Sequence, residues 1–134
     1  MAHTLLATLF KDRVYTGPFA SRWIDTAGSY AIKIHLANDG SGAAAGAWTI
    51  EESNDASIAH ELKATDGEST ASTAKVVDIS AVTSRVTIDG TGLTVTNGAS
   101  TMITIVNPAR FVRLKLTGAG AVGAKLQGWV KGQD

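Results

Sequence analysis

The residues Gly118-Ala-Gly-Ala-Val-Gly123 spell G-x-G-x-x-G, the spacing that lets backbone N–H groups approach a pyrophosphate. That chemistry also needs a helix opening at the third glycine and an acidic residue about 20 positions further on. The residues after Gly123 have a strand pattern, so these six residues read as a glycine-rich turn. Asp25, Glu51, Glu52 and Asp55 could be imagined as a carboxylate pair for glycoside hydrolysis, which requires two acids facing each other across a cleft. Neighbours on a strand point to opposite faces, so Glu51 and Glu52 cannot act together.

The three histidines, His3, His35 and His60, share no H-x-H or H-x-x-x-H spacing. No local metal site follows, and surface histidine is the expectation. The sequence has no G-x-S-x-G elbow to present a serine nucleophile. The Asp39-Gly-Ser-Gly42 and Asn54-Asp55 segments offer oxygen donors, but without the dense D-x-D-x-D-G array that holds calcium; turn chemistry explains them. Trp23, Trp48 and Trp129 could stack on sugar rings. Trp48 falls where core is expected, which leaves Trp23 and Trp129 as the aromatic candidates. No catalytic, metal or cofactor residue is assigned, and the expectation is a non-enzymatic protein.

The elements that must position these residues are strands. Fourteen glycines, only two prolines and many small residues break the sequence into short β-runs without long amphipathic helices. Ser21 to Asp25 reads as a short strand. Ile32, Ile34 and Leu36 alternate with Lys33 and His35, placing the first set inward and the second in solvent. Trp48 and Ile50 share one face of the next run. Ile58 to Lys63 is the most helix-compatible segment, read narrowly as strand, and Asp66 to Thr73 is a polar loop. From Val82 onward the pattern predicts a meander, with turns at Asp89-Gly-Thr-Gly92 and Asn97-Gly98. Val112, Leu114 and Leu116 alternate with Arg113, Lys115 and Thr117. That last run and the one ending at Trp129-Val130 read as a terminal hairpin. The sum is an all-β, antiparallel two-sheet sandwich of jelly-roll type with about eight to ten strands.

At 134 residues the length fits one domain. Residues 1–20 form an arm or edge strand and residues 21–134 the sandwich. Lys plus Arg and Asp plus Glu each number 12, a formal net charge of zero, so neither nucleic acid nor a membrane is an expected partner. The absence of cysteine excludes disulfides and thiolate chemistry. The apolar run that includes Leu5, Leu6, Leu9 and Phe10 lacks a basic leader and a cleavage pattern, which points to synthesis in the cytoplasm. These four side chains are the candidate partner-binding residues, since they would be sticky if left in water.

The closing segment "ARFVRLKLTG…GAKLQGWVKG", with "WTIEESND" upstream (Trp48 to Asp55), resembles the closing strands of discoidin-like jelly-roll sandwiches. It also resembles small tailed-phage virion proteins of the capsid decoration or cement type. The resemblance implies a structural virion protein made in the host cytoplasm, docked on a major capsid protein, with a tail or fibre component as a variant. The alternative it implies is a carbohydrate-binding module. A homotrimer is expected, in which residues 1 to about 15 reach a neighbour, because closed symmetry repeats one arm-to-sheet contact without a free edge.

Overall fold

The computed structural model describes residues 6–15, 19–38, 47–55, 76–96, 98–117 and 124–133. Among them run ten strands and no helix. In chain order these are β1 (Leu6–Tyr15), β2 (Phe19–Ala20), β3 (Ile24–Asp25), β4 (Ala31–Asn38), β5 (Ala47–Ser53), β6 (Val77–Asp78), β7 (Val86–Gly90), β8 (Ser100–Val106), β9 (Phe111–Thr117) and β10 (Ala124–Gln133). The first sheet has the order β1-β10-β4-β8-β7, and the second β2-β9-β5-β6 with β3 also paired to β9. Every pairing is antiparallel. The chain passes repeatedly from one sheet to the other, and among the described strands only β5–β6 and β7–β8 pair with their immediate successors in sequence.

The two-residue period builds the core. Ile32, Ile34 and Leu36 of β4, Ile103 and Ile105 of β8, and Val130 of β10 come from the first sheet, all fully buried. They meet Trp48 and Ile50 of β5 and Val112, Leu114 and Leu116 of β9. Gly128 of β10 belongs to this inward face: a Cβ there would lie 3.4 Å from the Leu9 side chain and 3.5 Å from Leu36. Leu9 packs beside it and is buried in the core of its own chain.

The arm is therefore an edge strand here. β1 runs along β10 from Leu6 opposite Lys131 to Tyr15 opposite Ala124, with two irregularities in register. Within the chain the segment docks on its own sheet, and Leu9 with it is a core residue. Leu5 lies outside the described residues, as do the helix-compatible segment 58–63, the loops 39–42 and 66–73, His3, His60, Asn97 and the glycine-rich segment 118–123.

Three local expectations are corrected. β9 and β10 are not a hairpin: β9 sits between β5 and the β2/β3 segment in the second sheet, whereas β10 sits between β1 and β4 in the first. Consecutive strands can pair with each other or face each other across a core. Here β9 finds buried partners on both sides. The meander is one hairpin, β7–β8, because residues 93–96 leave the sheet. Trp48 N–H donates to the Leu93 carbonyl, Asn38 Nδ2 donates to the Val95 carbonyl, and Val95 is buried, so this segment closes one end of the sandwich. Third, the stretch 21–25 forms a strand only at β3. Ser21 substitutes for ladder partners before it, its backbone N–H donating to the Leu114 carbonyl and its Oγ accepting from the Leu114 N–H.

Gly90 closes β7 at φ +106°, and a Cβ there would lie 2.6 Å from the Ser100 carbonyl oxygen. Gly92, at φ +80°, faces open space. Gly90→Ala is therefore expected to lower stability by more than the about 1–3 kcal/mol of a strained backbone alone. Gly92→Ala should stay within that range, and urea midpoints for the two variants check the order.

Candidate functional site

Of the candidate carboxylates, Glu51, Glu52 and Asp25 are held singly, each by its own arginine. Glu51 and Glu52 face opposite sides of β5. Glu51 accepts from Arg113 Nε at 2.8 Å, while Glu52 accepts both arms of Arg85 at 2.7 Å and the Ala109 N–H at 2.9 Å. Asp25 takes both arms of Arg110 at 3.0 Å and also accepts the Ala27 N–H. Asn54 Oδ1 accepts the Arg110 N–H at 2.7 Å, which fixes the loop after β8 against the end of β5. These contacts lock one end of the sandwich, with Arg85, ahead of β7, bridging to Glu52 in the other sheet. Among the described residues, no group of three or more His, Cys, Asp or Glu side chains could hold a metal ion.

Electrostatics follow from these partners. Burial pushes the Glu52 carboxyl up, but hydrogen bonds from Arg85 and the Ala109 N–H, with the Arg85 charge, outweigh it and hold Glu52 below its ordinary value. Asp25 is lowered chiefly by the hydrogen bonds from Arg110. A carboxylate whose value is depressed on folding adds stability that is complete above its ordinary value and lost as pH falls through the folded value. Acidification below the ordinary glutamate value of 4.5 should thus lower the melting temperature, and Glu52→Gln should flatten that acid limb. An acid limb of unchanged slope in the variant would contradict this assignment.

Trp23, one of the two candidate stacking aromatics, is buried at 1% exposure. It forms a small satellite core with Phe111 and Val76 on the outer face of the second sheet. The Arg113 guanidinium lies 4.5 Å from its ring centroid. Arg113 is accordingly buried rather than wet, because the chain leading into β3 covers that face of β9.

Trp129 is different: it is 36% exposed on the outer face of the first sheet. Register brings it opposite His35, which in turn faces Met102. The next row sets Lys131 opposite Lys33. The His35 and Trp129 rings lie 5.2 Å apart at a tilt of 38°. These side chains, over the strand at Val130, line a shallow, almost wholly carbon-walled hollow of about 150 Å³. The hollow thus joins an exposed indole to two exposed cations.

Of the four candidate partner-binding residues, Leu9 is in the core, Leu6 and Phe10 lie on β1 beside β10, and Leu5 is outside the described residues. The hollow was half legible: alternation put Lys33 and His35 in solvent and left Trp129 open. Nothing in the spacing connected positions 33 and 35 with 129 and 131.

No protein-family model, curated protein or solved structure matches the chain. The class is defined by architecture alone: an antiparallel two-sheet β-sandwich with one end locked by ion pairs and an exposed aromatic and cationic face on its first sheet.

Proposed function

We propose that this chain is a non-enzymatic structural protein of a tailed-phage virion, a capsid decoration or cement protein that docks on the major capsid protein and stabilises the shell. The observation that carries the reading is the exposed Trp129 face on a sandwich whose Glu51, Glu52 and Asp25 carboxylates are committed to arginines. The resemblance of the closing strands to small virion proteins supports it. A homotrimer belongs to the same reading. With residues 6–15 paired to β10 of their own chain, this reading puts the trimer contacts on the sandwich faces and loops. Particles made with and without the chain test the proposal by mass spectrometry of their composition and by the temperature at which shells open. Incorporation with a raised opening temperature is expected, and particles identical in both respects would sink it.

The exposed indole of Trp129 favours one second reading, a carbohydrate-binding module that stacks a sugar ring on Trp129. A glycan array with and without calcium separates the two. Sugar binding abolished by Trp129→Ala would replace the virion reading, and a blank array would leave it standing.

A further inference from the structure

We propose that the hollow around Trp129 is a docking site for an acidic polypeptide segment, with one large apolar side chain seated in the hollow and flanking carboxylates on Lys33 and Lys131. The proposal rests on the reading of this chain as an interaction protein and names the chemistry of the partner it takes.

Lys33 and Lys131 are direct cross-strand partners on β4 and β10, both exposed, and neither makes an ion pair with a described residue. Like charges placed directly opposite on a sheet repel, so this pair weakens the strand contact it sits on. A partner's carboxylates would remove that repulsion. The acid sharing the neighbouring row, Asp89, stands on β7, two strands beyond His35. At roughly 4.8 Å per strand it is too far to neutralise the pair. The chain has no net charge, so this local positive field is a property of the face and not of the whole molecule.

The hollow's lining sets the second requirement. It is lined by Trp129, Met102, His35, Lys33 and Lys131, with the strand at Val130, whose side chain faces the core, as its floor. An apolar hollow of about 150 Å³ has room for a benzene-sized group. Sugar hydroxyls would find few hydrogen-bond partners there, and an unpaired polar group displaced from water is unfavourable. Two cations are a thin charge set for a nucleic-acid backbone, which is bound by rows of phosphate contacts. An apolar side chain between acidic residues satisfies both the hollow and the lysines. Tryptophan is among the residue types that most often anchor such contacts, and methionine adapts its shape to the group it meets.

The test is a titration of the full-length, ¹⁵N-labelled chain with the blocked peptide Asp-Phe-Asp, followed by NMR. Parallel titrations use Asp-Ser-Asp, Lys-Phe-Lys, an oligouronate and a thymidine oligonucleotide. Asp-Phe-Asp should move the Trp129 indole N–H and the amides of residues 33, 35, 102 and 131, with a Kd on the order of 1 mM. Lys33→Gln combined with Lys131→Gln should weaken it by about 3- to 10-fold, as exposed charge pairs do. Added salt should weaken it in the same direction. The proposal is overturned if Asp-Ser-Asp or Lys-Phe-Lys binds as well, if the Trp129 resonance stays still, or if the oligouronate or oligonucleotide binds these residues more tightly than Asp-Phe-Asp. Failure here with the chain still incorporated into particles removes this docking chemistry alone; failure of incorporation removes the virion reading itself.

Discussion

Leu114→Ala is expected to lower the unfolding free energy by about 2–5 kcal/mol, the range for truncating a buried leucine that leaves a cavity. Leu114 has no exposed surface, lies in the middle of β9 and faces the β4 and β8 isoleucines across the core. β5 on one side and Ser21 on the other hold it in register, so the site has little freedom to collapse around a smaller side chain. Lys115, half-buried on the opposite side, should change stability by less than about 0.5 kcal/mol on truncation, as surface positions do. Equal effects at the two positions in urea unfolding would mean that β9 is shifted by one residue, which exchanges its two faces.

Arg113→Met should have an effect of similar size. The Arg113 side chain is 4% exposed, hydrogen-bonded to Glu51 and packed under Trp23. Methionine keeps much of the volume but leaves the Glu51 carboxylate, itself 13% exposed, without its arginine. Removing one member of a buried pair costs about 3–5 kcal/mol, whereas replacing both by apolar groups of similar size is often neutral. The double variant Arg113→Met with Glu51→Leu should therefore recover most of the loss. If the single variant is as stable as the parent, the outer face of β9 is open to water as its alternating pattern implies.

Arg113 also shows where sequence reasoning stops. Alternation reports which residues share a face, and it placed Ile32, Ile34, Leu36, Trp48, Ile50, Val112, Leu114 and Leu116 together correctly. It carries no information on whether the other face is covered. Trp23 covers it from about 90 positions away, through a segment whose pairing is broken by the Ser21 side chain. The local signal was an arginine two positions from Phe111, on the same face of the strand.

Strand pairing was illegible for a related reason. A glycine-rich connection between two strand patterns is equally compatible with a hairpin and with a crossing between sheets, and the choice is made by partners distant in sequence. β10 pairs with β1 and β4, at the other end of the chain, where Val130 joins Ile34 and Leu9 in the core. The Lys33 and Lys131 juxtaposition exists only through that crossing. The Glu52 and Arg85 bridge was invisible for the same cause, although the opposite facing of Glu51 and Glu52 followed directly from their adjacency.

Attachment to a particle through the outer face of the first sheet is the central proposal for this sandwich. The most direct measurement is co-sedimentation of the purified chain with shells that lack it, comparing the parent with Trp129→Ala. Trp129 is exposed and on the outer face, so its replacement should leave the fold intact, which an unchanged melting temperature would verify. Saturable binding by the parent is expected, with a loss of at least about tenfold in the variant, the effect of removing an anchoring aromatic. Equal binding by the two proteins would place the contact elsewhere, and no binding by either would contradict attachment altogether.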